Sequence, residues 1–497
     1  MSFVSPAFLI FLAVAFLCYF ISPRRARWVV LLASSYVFYW IAGGLFAICA
    51  ISGTALTVYA AGLWTGSLRK RNAGRFYRRL PLVLCLTINF GVLLFFKYSF
   101  YFAPSWGLLL IPGISFYTFQ AVGYLIDIYR GKVEPEKNPF KMALFLSFFP
   151  QLIQGPISRH SEIAADLFAG HGWNFENSRK GMQRIIWGYF IKLVVADRAA
   201  VIVDAVFSDY NSYGGAVIIF AMLVYSIQIY ADFAGGINIT LGIGEILGIK
   251  LPENFRQPFF ANSLADFWRR WHITLSAWLK DYLFYPIALS KPLGKLGKLT
   301  RRLFGNRIGK MLPTCLATFA VYLVMGVWHG SGVNVFIFGI LNGLIISTAL
   351  LMEPQIELLR SKTGIRGDKK GFGRTFAVLR TLALFIFLRY FARAATYSDA
   401  IGMLKQTVFH PRIYEIWNGT ILGLGLSGWN CIVLFIGVLV MLVRDIISER
   451  GKDCRVVLNN MRPALQFVIL VAVLMSITLF GIYSDSALSA TFIYAQY

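Results

Sequence analysis

Long apolar runs separated by short basic blocks set the pattern of this chain. The run at 28–64 is broken only at Gly43–Gly44, which predicts a helical hairpin returning to the side it left. Runs at 81–97 and 104–129 predict a second pair of spans joined by the loop KYSFYFAPSWG, and runs near 312–328 and 333–352 a third pair. Further spans are expected near 380–397, 427–443 and 465–483, a parity that leaves the C-terminus outside. An α-helix needs roughly 20 residues to cross about 30 Å of hydrocarbon, and these runs approach that length. The first run, MSFVSPAFLIFLAVAFLCYFISPRRAR, carries its charges after the apolar stretch. A secretory signal carries them before it, so the segment is read as a retained span that starts outside.

The middle third, about 142–290, does not resolve into simple spans. FPQLIQGPISRH, YADFAGGINITLGIG and LPENFRQPFF interrupt it with prolines, glycines and carboxamides. Lipid cannot satisfy the backbone groups such residues expose, so these segments must be buried in protein or line a wet cavity. No repeat of 20–50 residues is present, which argues against a solenoid. The expected fold is an all-α polytopic membrane protein with about 11–13 transmembrane helices plus re-entrant or interfacial helices. It is read as one integral-membrane domain over 1–497: N-terminal spans 1–130, a central region 131–350, C-terminal spans 351–485 and an aromatic tail 486–497.

Composition agrees with the pattern. Of 497 residues, 57% are hydrophobic and only 14% charged, with a mean hydropathy of +0.63. Soluble chains carry nearer a quarter charged residues. The formal charge of +25 is spread over short blocks between spans: PRRAR, SLRKRNAGRFYRR, KPLGKLGKLTRRLFGNRIGK, RSKTGIRGDKKGFGR and RDIISERGKDCR. That is the positive-inside distribution, which places these loops in the cytoplasm. A nucleic-acid groove would gather its cations on one folded domain, so nucleic acid is excluded as a partner. The six cysteines show no CxxC pair and no metal spacing.

Five histidines are candidates for chemistry, and two stand apart. His329, in MGVWHGSGVNVFIFG, falls between two apolar runs, where an ionisable group is costly and functional by default. Gly326, Gly330 and Gly332 flank it and permit close approach of backbone or substrate. The plain alternative is a neutral histidine joining two helices through a carbonyl. His272 lies in DFWRRWHITLSAWLKDYLFYPI. Read as one interfacial or re-entrant helix, this stretch puts Trp268, Trp271, His272, Leu275 and Leu279 near one face. Arg269 and Arg270 then point toward headgroups or an anionic ligand, and an aromatic belt with an incidental histidine is the alternative. An imidazole takes and returns a proton near neutral pH. Asp232 and Glu245 are further acids at membrane depth, either proton-relay groups of a transporter or partners of central arginines. The GxSxG, P-loop and HExxH patterns are absent, and no metal site is read.

ISFYTFQAVGYLIDIYRG, FFPQLIQGPISR, the long block from YADFAGG to DYLFYPI, and GVWHGSGVNVFIFGILNG together resemble the membrane-bound O-acyltransferase family. Within it they resemble the bacterial branch of alginate O-acetylation and D-alanyl transfer. The resemblance implies a ring of helices around a thin centre with a tunnel joining the two membrane faces. It implies His329 as the main catalytic residue and His272 as the second active-site position. Trp328, Arg269, Arg270, Trp271, Asp232 and Asn254 are the positions expected to line the tunnel or meet the donor. The expected reaction carries an acyl group, acetyl in the first instance, from a cytoplasmic thioester to an exported polysaccharide. The donor would be acetyl-CoA or an acyl-carrier thioester, with no bound cofactor; D-alanyl transfer from a carrier protein to a wall polymer is the alternative within the family, and a proton-coupled transporter or flippase the alternative outside it. Expected partners are a periplasmic or extracellular acyltransferase, the polymer and membrane lipids; the expected location is the bacterial cytoplasmic (inner) membrane. A neutral His329 would act as general base, while His272 would orient the acyl carbonyl or donate to the oxyanion. The ending SALSATFIYAQY is similar to an aromatic C-terminus of this branch, which makes Tyr494 a candidate acyl carrier.

Overall fold

The computed structural model describes residues 1–102, 111–330, 332–363 and 371–483. Among them there are helices and no strands; the one isolated antiparallel bridge pairs Phe255 with Trp271. Eight of the described helices are long and apolar enough to cross a membrane. Local chemistry starts short and long helices alike: Ser5 caps Pro6–Ile21, Asn138 caps Pro139–Ser147, and Ser427 caps the spanning-length Gly428–Glu449. Each cap oxygen accepts an orphan N–H of the first turn.

Two of the eight reverse direction at a glycine. In Arg27–Lys70, Gly44 takes φ 67°, and Tyr36 Oη lies 3.2 Å from Ser52 Oγ. Sixteen residues along a straight helix would separate them by about 24 Å, so the chain doubles back, as the Gly43–Gly44 break predicts. In Lys291–His329 the reversal is at Gly305, with φ 80°. A Cβ placed on Gly309 would lie 2.5 Å from the backbone nitrogen of Arg301, so the two arms touch. Positive φ is what an L-residue adopts only at a cost and glycine adopts freely. Here the structure departs from expectation: the basic stretch 291–304 is a helical arm rather than a loop.

The described residues form two compact units. One comprises Met1–Val194, Ala231–Glu253 and Leu458–Tyr497, the other Val195–Tyr230 and Asn254–Val457. In the first, the interrupted segment around FPQLIQGPISR is largely buried and several of its polar groups are met by protein, while both amide atoms of Gln154 are buried with no hydrogen-bond partner among the described residues. Thr240 Oγ1 donates to the Pro150 carbonyl at 2.6 Å, Phe149 N–H donates to Ser35 Oγ at 3.1 Å, and Ser158 Oγ donates to Gln151 Oε1 at 2.9 Å. Irregular backbone survives in an apolar surround only under such satisfaction. In the second unit, Lys291–His329 packs on Val333–Thr363, where a Cβ on Gly326 would come within 3.0 Å of the Gly339 Cα. Small residues at that crossing bring the two backbones together beside His329.

Candidate active site

The site is built in the second unit by a break in a helix. The stretch read from sequence as one helix is two: Leu264–Arg270 ends, Trp271 is extended, and Ile273–Leu279 begins afresh. His272 between them holds φ 46°, ψ 55°. A left-handed conformation costs a non-glycine residue on the order of 1–2 kcal/mol, so its surroundings must impose it. The imposing element is the segment 254–256. Arg256 N–H donates to the Arg270 carbonyl at 2.9 Å, and Ile273 N–H donates to the Asn254 carbonyl at 3.0 Å. Asn254 and His272 are buried, at 0% and 1% exposure.

Asn254 Oδ1 collects three contacts: Thr274 N–H at 3.1 Å, Thr274 Oγ1 at 2.9 Å and His272 Nδ1 at 3.3 Å. His272 lies outside the spanning helices, and burial pushes its imidazole pKa down to about 3, so it is neutral at physiological pH. Its ring centroid is 6.1 Å from that of Trp328, which in turn lies 4.7 Å from that of His329. His329 is the last residue of Lys291–His329, 8% exposed, with the Phe338 ring 5.9 Å away. The structure therefore brings His272, Asn254, Trp328 and His329 together. Carbonyls at a helix C-terminus favour positive charge, the charge an imidazole acquires on accepting a proton.

The remaining sequence-predicted positions have other surroundings. Trp271 is fully buried among aromatics, with ring centroids of Phe255 at 5.1 Å and Phe267 at 5.5 Å. Arg270 does not reach for headgroups. It is largely buried, donating to Asp266 at 3.0 Å and to Glu449 at 2.7 Å, and Glu449 also receives Arg374 at 2.7 Å. Only Arg269 is exposed, with a 3.5 Å contact to Asp266. Asp232 belongs to the first unit, where it takes a 2.6 Å hydrogen bond from Lys192, both side chains being nearly inaccessible. Glu245, in the same unit, pairs with Arg184 at 3.1 Å. Tyr494 lies outside the described residues.

Sequence reasoning missed Thr274, Asn342 and Glu449. Asn342 Oδ1 accepts from Trp268 Nε1 at 3.0 Å, tying the first short helix to Val333–Thr363. Nothing in local spacing marks these residues, because their partners are 20, 74 and 179 positions away. Among the described residues, no three His, Cys, Asp or Glu side chains gather in a metal-ligating group.

Helices without strands, eight of them apolar and of spanning length among the described residues, with two buried histidines whose rings both lie near Trp328, make this an integral membrane protein with imidazoles in its interior. The sequence model of the membrane-bound O-acyltransferase family matches residues 82–366. The chain is 33% identical over 363 residues to the probable alginate O-acetylase AlgI of Pseudomonas putida, covering 69% of this chain and 70% of that protein. It is 33% identical over 390 residues to the peptidoglycan O-acetyltransferase of Helicobacter pylori, covering 69% of each. It is 28% identical over 250 residues to the teichoic acid D-alanyltransferase of Bacillus subtilis, covering 49% of this chain and 60% of that one. The chain belongs to the membrane-bound O-acyltransferase family and is an acyltransferase of the integral-membrane kind.

Proposed function

We propose that this protein moves an acyl group, acetyl in preference to D-alanyl, from a cytoplasmic thioester through the bacterial cytoplasmic membrane for O-acylation of an exported polysaccharide. The observation that carries the reading is the meeting of the buried His272 and His329 on the Trp328 ring. Acetyl is favoured because two O-acetyl-transferring relatives match a larger share of the chain at higher identity than the D-alanyl-transferring one. The proton-path alternative loses its support with the acids: Asp232 is paired with Lys192 and Glu245 with Arg184.

A thioester is already activated, so the protein must hold it beside a hydroxyl and manage one proton. The hydroxyl oxygen bonds to the acyl carbon and the carbon–sulfur bond breaks. His329 takes the hydroxyl proton and returns it to the departing thiolate, leaving an ester and a free thiol. The basic segments between apolar runs steer an anionic donor, acetyl-CoA or an acidic carrier protein, to the cytoplasmic face. On this reading the product passes to a periplasmic or extracellular acyltransferase partner, with Tyr494 as the acyl carrier. The test is transfer from acetyl-CoA or an acyl-carrier thioester by purified, monodisperse variants. His329→Ala should abolish turnover, and His272→Ala should lower it by roughly 10²–10⁴-fold, the range for loss of an acid–base or oxyanion partner. Near-wild-type turnover by His329→Ala would sink the mechanism.

A further inference from the structure

Asn254 presents two different faces, and which is which is decided by a backbone group. Thr274 N–H is a donor that cannot be turned into anything else, and it lies 3.1 Å from one terminal atom of the Asn254 amide. That atom must be the oxygen, since the opposite orientation would set an N–H against an NH2. His272 Nδ1 lies 3.3 Å from the same oxygen. An oxygen without hydrogens can bond only to a protonated Nδ1. In the neutral imidazole, the hydrogen is therefore on Nδ1 and the lone pair on Nε2. The other end of the amide, Nδ2, is a buried donor with no hydrogen-bond partner among the described residues, on a side chain with 0% exposure. A buried NH2 left over beside a histidine site is a costly feature, and its natural partner is an acceptor atom of a ligand.

We propose that Asn254 sets the polarity of the site: its Oδ1 holds His272 with the proton on Nδ1 and the lone pair on Nε2, and its Nδ2 is the hydrogen-bond donor offered to a substrate carbonyl oxygen. The roles expected for His272 are thereby redistributed. Neutral His272 cannot donate from Nε2 to an oxyanion; it accepts a hydrogen bond from an O–H or N–H of the bound substrate and orients it. The oxyanion donor is the asparagine. This inference rests on the acyl-transfer reading only for the identity of the carbonyl, a thioester carbonyl becoming the tetrahedral oxyanion.

The architecture makes the test practicable. The hydrogen bond that imposes the turn uses the Asn254 backbone carbonyl rather than its side chain, so Asn254 variants keep the bridge to 270–273. Full-length protein with 15N-labelled histidine, in proteoliposomes, is examined by solid-state NMR, and the His272 signals are assigned by their loss in His272→Gln. The wild type should show a protonated Nδ1 and an unprotonated Nε2. Asn254→Asp keeps the acceptor and should keep that tautomer, yet it lacks the NH2 and should lose about 10²–10³-fold in kcat, the usual effect of removing an oxyanion donor. Asn254→Ala lacks both groups and should lose the single tautomer as well as turnover. A wild-type His272 protonated on Nε2, or an Asn254→Ala protein with an unchanged tautomer, overturns the positioning role. An Asn254→Asp protein with wild-type kcat overturns the donor role. A wild-type protein that shows the Nδ1–H signature but transfers no acyl group from any thioester would count against the acyl-transfer reading instead.

Discussion

Replacing Lys192 with methionine removes one half of a buried ion pair and leaves the Asp232 carboxyl without its ammonium partner in a site with almost no access to water. The two groups meet at 2.6 Å, with 2% and 3% of their side chains exposed. Breaking such a pair from one side costs about 3–5 kcal/mol, because the surviving group stays buried after losing its oppositely charged neighbour. At about 1.4 kcal/mol per decade this is roughly a 10²–10⁴-fold loss in the folded-to-unfolded ratio. The unfolding entropy of an average chain, about 2 cal/mol/K per residue, gives on the order of 1 kcal/mol/K for 497 residues. Lys192→Met should therefore lower the unfolding midpoint by about 3–5 °C. Lys192→Met with Asp232→Asn should recover most of that loss, since no buried charge remains; an unsatisfied amide accounts for a residue of about 1–2 kcal/mol. The assay is fluorescence-detected size-exclusion chromatography after stepwise heating in one detergent, run with an acyl-transfer measurement. A Lys192→Met midpoint within about 1 °C of wild type would refute the argument that the pair is dehydrated and structural. Loss of transfer by the double variant at unchanged stability would return Asp232 to the chemistry.

Three further expectations follow the same geometry. Burial lowers the His272 pKa to about 3, so between pH 6.5 and 3 the unfolded chain binds a proton that the folded one refuses, and stability falls as pH falls through that window. Acid titration of unfolding midpoints should show a shallower acid loss in His272→Gln than in wild type; identical slopes would refute the buried neutral assignment. The basic segments holding Arg71, Lys298 and Lys369 should be cytoplasmic and the C-terminus external. Single cysteines in those basic segments, in a cysteine-free background, should resist an impermeant thiol reagent on intact cells, and labelling at Lys369 from outside would overturn that topology. Tyr494→Phe should keep donor binding yet lose delivery to polymer, with an acyl adduct on the wild type alone by intact-protein mass spectrometry; full polymer acylation by the variant would reduce the tail to an anchor.

The chain by itself determined the solvent and the helical character of its long apolar runs. Runs of about 20 apolar residues have no stable alternative to helix in hydrocarbon, and the Gly43–Gly44 break marks its turn because only glycine adopts positive φ without penalty. His272 and His329 were also legible, as rare ionisable groups beside tryptophans in blocks that resemble one family. Tertiary structure alone decided what those residues touch. DFWRRWHITLSAWLKDYLF reads as a continuous helix on propensity, and the break at Trp271–His272 comes from hydrogen bonds to residues 254–256. Arg270 reads as a free cation until Glu449, 179 positions away, captures it. The tautomer of His272 depends on which way one carboxamide faces, and that in turn on a backbone N–H two residues beyond the histidine. Periodicity records which groups avoid water along a segment. Pairings between distant segments leave no such record, because a hydrogen bond constrains positions in space and not spacings in the chain.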